Sequence, residues 1–306
     1  MDLNYNIHNL IRLKSNFSVA PPCFLKRSVK YADMEIYRDS KPEVNLSDLN
    51  PLGLRLFYNE NIFVHKCLFF LDAHLEIKEI GRRIILRFNR AYDFFRNPLS
   101  YFLAFLQMKL LDKGFSFIHA SAVARNNECI IFPAFSDTGK TTTALSFLKD
   151  GYDFLGDDKV ITDGQNVFSY PMPVRKVLSR PFETVPLLRR IKTRKTIYPP
   201  IAEAGIPRKI FFLSIRNKNE IREIDKQDIA EKISIMTESA CPLFPYPTGT
   251  MLGYYFIRNI EFNRYIEARK KIILQLVDNC RTFLVTAKTG FEFYNLIKSR
   301  NDGLQD

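Results

Sequence analysis

The stretch CIIFPAFSDTGKTTTALSFLKDG (129–151) decides how this chain is read. CIIFPAF (129–135) is an apolar run of strand length, and TTTALSFLKDG (141–151) is a helical run that stops at a glycine. Between them lies SDTGK, a short polar loop. Strand, loop and helix in this order bring several backbone N–H groups and a helix N-terminus together at one point, where an anion can sit.

AFSDTGKT (134–141) fits the G-x-x-x-x-G-K-[ST] phosphate loop at Gly139, Lys140 and Thr141, with Ala134 in place of the first glycine. Gly139 permits close backbone approach, Lys140 can reach the outer phosphates and Thr141 can hold Mg2+. The expected cradle is Ala134, Phe135, Ser136, Asp137, Thr138, Gly139, Lys140, Thr141 and Thr142. Alanine at 134 costs something only if that position needs a positive φ.

YDFLGDD (152–158) reads as a strand ending in two carboxylates. Asp157 there is a candidate ligand for a Mg2+ that bridges phosphates. Asp158 is a candidate acceptor for the proton of an attacking hydroxyl. His119, in the strand-like FSFIHASAVA (115–124), is expected beside the loop strand. His8, His65 and His74 carry no partner pattern and read as structural.

Outward from this centre, Asn126–Asn127 signal a turn and VITDGQNVFSYP (160–171) a hairpin around Asp163–Gly164. Residues 175–209 are rich in Arg and Lys and broken by prolines, which predicts a loop or mobile lid with short helices. KIFFLSI (209–215) and RTFLVTA (281–287) read as strands, and 260–278 and 291–300 as helices. Upstream, HLEIKEI (74–80) and RIILRF (83–88) alternate as a hairpin about Gly81, and a helix begins at Pro98 and stops at Gly114. The predicted fold is α/β: a β-rich N-terminal module (1–97), taken as the smaller, then a nucleotide-binding domain (98–306) with a mixed sheet flanked by helices.

Bulk properties set outer limits. The net charge is +12, which favours anionic ligands. The basic segment has few interleaved aromatics and no recognition motif, which argues against nucleic acid. Five scattered cysteines without a C-x-x-C pair argue against a disulfide framework or a zinc site. No signal-peptide core and no apolar run of spanning length is seen, so a cytoplasmic protein without a transmembrane segment is expected.

HASAV (119–123), GKTTTAL (139–145), GYDFLGDDKV (151–160) and YPMP (170–173) together resemble the HPr kinase/phosphorylase superfamily, in particular the HPr kinase-related proteins. Their P-loop domain is akin to that of phosphoenolpyruvate carboxykinase. The resemblance is good over roughly residues 115–175 and looser beyond. It implies a kinase using ATP and Mg2+, with Lys140 and Thr141 on phosphates and metal and Asp157 as metal ligand. Asp158 would then be the base toward a hydroxyl and His119 its neighbour, with Arg175 or Lys176 near the acceptor side. Ala134 and the lack of a Gly-Arg-Asn-type signature loop depart from true HPr kinases, so the implied acceptor is an unidentified hydroxyl on a small molecule, peptide or protein. Nucleotide hydrolysis and non-catalytic nucleotide sensing are the alternatives, and self-association is left open.

Overall fold

The computed structural model describes residues 2–39, 44–68, 72–172, 174–177, 194–197 and 199–302. The chain is a mixed α/β protein with two large sheets, each of nine strands, and flanking helices. It packs as two compact units. One comprises Met1–Ile118 with Lys232–Leu274, the other His119–Glu231 with Gln275–Asp306. These packing units do not coincide with the division expected at 97/98.

The first unit is built on a sheet in the order Leu25–Lys26, Leu3–Ile7, Ile11–Ser15, Met34–Arg38, Arg83–Phe88, Ala73–Ile80, Ile62–Leu68, Leu56–Tyr58, Asn50–Pro51. Alternation along Ile11–Ser15 buries Ile11, Leu13 and Ser15 and exposes Arg12, the period-two pattern of a strand with one covered face. The predicted hairpin forms, with Ile80 opposite Arg83 and Gly81 at φ +59° in the turn. Among the described residues this sheet has nine strands, as many as the other. Several of its strands are only two to five residues long, too short for periodicity to register.

Pro98–Leu111 is the predicted helix, with proline in its first turn and Gly114 at φ +80° just beyond it. Tyr101, Phe102, Phe105, Leu106 and Leu110 are all buried, so the helix is apolar round most of its circumference. His65 is structural, as expected: its Nδ1 lies 2.8 Å from the Tyr92 hydroxyl and 3.0 Å from Thr250 Oγ1. Burial pushes its pKa down to about 4.

The second unit carries the 129–151 segment. Its sheet runs Asp153–Gly156, Ala120–Arg125, Glu128–Pro133, Ala204–Ile215, Arg281–Ala287, Glu220–Glu223. The three central strands are parallel and the outer pairs antiparallel. Val160–Thr162 and Val167–Phe168 form the predicted hairpin, joined to the start of Ala204–Ile215. Asn126 (φ +54°) and Asn127 (φ +65°) make the tight turn into the Glu128–Pro133 strand. The Lys140–Phe147 and Glu292–Asp302 helices cover one face through Ala144, Phe147, Phe293 and Ile297, packed on Phe132, Phe211, Leu213, Phe283 and Val285. Phe132 stacks on Phe147 with ring centroids 5.4 Å apart.

Two expectations need adjustment. FSFIHASAVA is two strands, Ser116–Ile118 and Ala120–Arg125, interrupted at His119. In the basic segment, Val174–Val177 pairs antiparallel with Arg194–Ile197, so its described ends are strands. Residues 178–193 and 198 of the expected lid (175–209) lie outside the described residues. Among the described residues no helix is long and apolar enough to cross a membrane.

Candidate functional site

The Glu128–Pro133 strand ends at the first loop residue, Ala134. Ala134 is fully buried in the core cluster and keeps a negative φ, so its methyl group adds packing without backbone strain. Phe135, Ser136 and Asp137 are exposed. Asp137 takes a left-handed φ of +62° and Gly139 a φ of +115°. Gly139 is the N-cap of the Lys140–Phe147 helix. The amides of Lys140, Thr141 and Thr142 have no acceptor within the described protein, and the first turn holds no acidic side chain. The helix therefore presents its positive end to the loop, with no acidic side chain of its own in that turn.

Lys140 is the least ordinary residue here. Its side chain is 4% exposed, and Nζ donates to the carbonyls of Ala134 (2.9 Å) and Phe135 (3.0 Å). It lies 3.8 Å from Asp158 Oδ1. Burial lowers its pKa, while Asp158, Asp157 and Asp137 act in the opposite sense. A lysine folded back on its own loop carries a desolvation cost, offset here by the two carbonyls and the nearby Asp158 carboxylate.

Asp157 follows the Asp153–Gly156 strand. Thr141 Oγ1 donates to its Oδ2 at 2.7 Å, and Ser121 Oγ donates to its Oδ1. Burial raises its pKa, the two hydroxyls oppose the rise and the Asp158 charge adds to it. Ser121 was missed in the sequence reading. Its signal was its place two residues after His119, in a segment that reads as one strand.

Asp158 takes a left-handed φ of +63° and its side chain is 60% exposed. His119 Nδ1 lies 2.9 Å from the backbone carbonyl of Asp158. A carbonyl only accepts, so Nδ1 carries the proton of the neutral ring. Burial first, then the Lys140 charge, lowers the His119 pKa, and Asp158 opposes them.

The structure thus brings together Lys140, Thr141, Asp157, Asp158 and His119, with Ser121 added. Thr142 is a helix residue whose carbonyl accepts from Ser146 Oγ at 2.9 Å. Arg175 and Lys176 pair with Thr196 and Lys195 through the backbone, and their side chains lie outside what is described. Among the described residues no group of three or more His, Cys, Asp or Glu is placed to hold a metal ion. A cation here would need oxygens from a ligand and water besides Thr141 and Asp157.

A second segment closes on the loop. Lys288–Phe291 joins the Arg281–Ala287 strand to the last helix, and Gly290 abuts Thr138 and Gly139. The sequence reading missed it; the Thr289–Gly290 pair between strand and helix was its only signal.

No protein-family model matches the chain, and no curated protein matches it. Among solved structures it is similar to the HPr(Ser) kinase/phosphatase from Coxiella burnetii, at a TM-score of 0.30 and 7% identity, covering 62% of this chain and 99% of that one. A likeness of this degree defines neither family nor activity. Fold and geometry together define a mixed α/β protein with a basic, carboxylate-lined strand–loop–helix site.

Proposed function

We propose that the chain is a phosphotransferase that binds ATP on the 134–142 loop and moves the γ-phosphoryl group to a hydroxyl acceptor. The observation that carries this reading is the buried Lys140 ammonium beside the free amides at the start of its helix, with the Thr141–Asp157 pair alongside. An ordinary surface turn would leave its lysine in water.

Mg2+ fits the donor set. Thr141 Oγ1 and the Asp157 carboxylate are hard oxygen donors 2.7 Å apart, and such a cation takes one or two protein oxygens together with phosphates and water. Asp157 is a desolvated carboxylate met by two hydroxyls, and a cation would favour its ionised form. When bound, held by Thr141 and Asp157, Mg2+ would supply positive charge that offsets the charge of the phosphates. Lys140 then holds the outer phosphates, and the amides of 140–142 hold the rest. Asp158, exposed and next to the loop, takes the proton of the acceptor hydroxyl. His119, hydrogen-bonded to the Asp158 backbone, fixes that residue's position.

The test has two stages. Calorimetry with Mg-ATP on the full chain should show saturable binding; a folded protein that binds none overturns the nucleotide site. Labelled ATP incubated with a panel of hydroxyl compounds and peptides should label at least one. Binding without any transfer, or release of phosphate to water alone, would favour the sensing or hydrolytic alternative.

A further inference from the structure

Two large rings stand exposed on the segments that meet at the loop. Phe135 is 62% exposed, one residue into the loop, and Phe291 is 78% exposed, directly after Gly290. Single exposed phenylalanines are common and need no account. These two sit on the pair of segments that touch through Gly139 and Gly290.

The segment bearing Phe291 is held firmly. Glu292 Oε2 accepts from the amides of Lys288 (3.0 Å) and Thr289 (3.4 Å), and Asn219 Oδ1 accepts from Lys288 N at 3.2 Å. Gly290 packs its backbone on the loop itself: an added Cβ would lie 2.8 Å from the Thr138 carbonyl oxygen. The Phe291 Cα is one peptide unit, about 3.8 Å, beyond that contact. Its ring is thus carried by a turn whose preceding residue is pinned to the loop. A pre-placed aromatic face in water, beside an anion site, suits a ligand that is anionic at one end and flat and apolar at the other.

We propose that Phe291, with Phe135 on the adjoining loop, is the platform for the base of a nucleotide, so that the site takes nucleoside triphosphates in preference to bare polyphosphate. This rests on the phosphate-site reading above and adds the recognition of the base. Ring stacking reads no hydrogen-bond pattern, so ATP and GTP should bind alike.

Calorimetry with Mg-ATP, Mg-GTP and Mg-tripolyphosphate on the full chain tests it. In the unaltered protein both nucleotides should bind more tightly than tripolyphosphate. Phe291→Ala should weaken ATP about tenfold, with tripolyphosphate unchanged. Phe291→Tyr should restore ATP binding. Phe291→Leu, which keeps apolar bulk without the ring, should behave as the alanine variant and guards against a fold defect. Equal affinity for ATP and tripolyphosphate, or ATP affinity untouched by Phe291→Ala and Phe291→Leu, overturns the base platform and leaves the phosphate site standing. Failure of all three ligands to bind the unaltered protein overturns the phosphate site and the platform together.

Discussion

Gly139 and Gly290 pack backbone against backbone: a Cβ on Gly139 would lie 2.7 Å from the Gly290 Cα, and one on Gly290 would lie 3.0 Å from the Gly139 Cα. Neither partner is a flexible side-chain end, so neither can yield without moving a loop. Only Gly139 also needs a positive φ. Gly290→Ala therefore isolates spacing from backbone conformation. It should cost about 1–3 kcal/mol of stability and weaken Mg-ATP binding, because the displaced segment is the phosphate loop. Gly151→Ala is the contrast. Gly151 has φ +78° with nothing within 4 Å of an added Cβ, so about 1 kcal/mol of stability goes and nucleotide affinity stays. Thermal melts and calorimetry on both variants decide; equal ATP affinity in Gly290→Ala and the unaltered protein would show that the contact does not shape the loop.

Lys140→Ala removes the ammonium that bonds the Ala134 and Phe135 carbonyls. Mg-ATP affinity should fall at least tenfold, about 1.4 kcal/mol. Unchanged affinity in a folded Lys140→Ala protein would remove the loop from the binding site.

The two adjacent aspartates should separate by metal dependence. Asp157→Asn takes charge from the proposed cation ligand, so activity should need more Mg2+ and be partly restored by it. Asp158→Asn should leave Mg-ATP binding nearly intact and lower turnover about 100-fold, with no rescue by Mg2+. Parallel Mg2+ titrations of the two variants that coincide would dissolve this division of labour. Full transfer in Asp158→Asn would move the base elsewhere, with His119 the next group to test.

His119 gives the stability curve a sign. Its folded pKa is lowered by burial and by the Lys140 charge. Between that value and the unfolded value of about 6.5, the unfolded chain binds the extra proton. Its contribution is therefore fully present above the unfolded value and is lost as pH falls through the folded one. His119→Asn should flatten this acid loss. Denaturant midpoints measured from neutral pH downward should converge for the two proteins at the acid end; parallel curves would mean His119 does not titrate in this way.

Much of the second unit was readable because its signals are local. Asn126–Asn127 adopt the positive φ that a tight hairpin turn demands, and Gly139 and Lys140 sit at a strand–helix junction because an apolar run meets a helical one across a polar gap. Ala134, where the motif has glycine, keeps a negative φ, so its methyl group costs no backbone strain. The break at His119 and the Glu220–Glu223 edge strand were not readable. Both depend on what lies beside them in the sheet, and a four-residue strand has too few residues for a period to stand out.

By itself the sequence determined the order of strand, loop and helix, the identity of the lysine, threonine and paired aspartates, and the turns at Gly81 and Asn126–Asn127. Those follow from spacing and from backbone preferences confined to a few residues. Only the tertiary structure decided that Ser121 and Thr141 both donate to Asp157, that Lys140 is buried over its own loop carbonyls, and that Gly290 presses on Gly139. It also set the parallel pairing of Ile11–Ser15 with Met34–Arg38 and of Met34–Arg38 with Arg83–Phe88. Apart from Lys140 and its own loop carbonyls, residues 16 to 151 positions apart meet in these contacts, and which of them meet is fixed by how the sheets pair and bury their faces, not by any local preference.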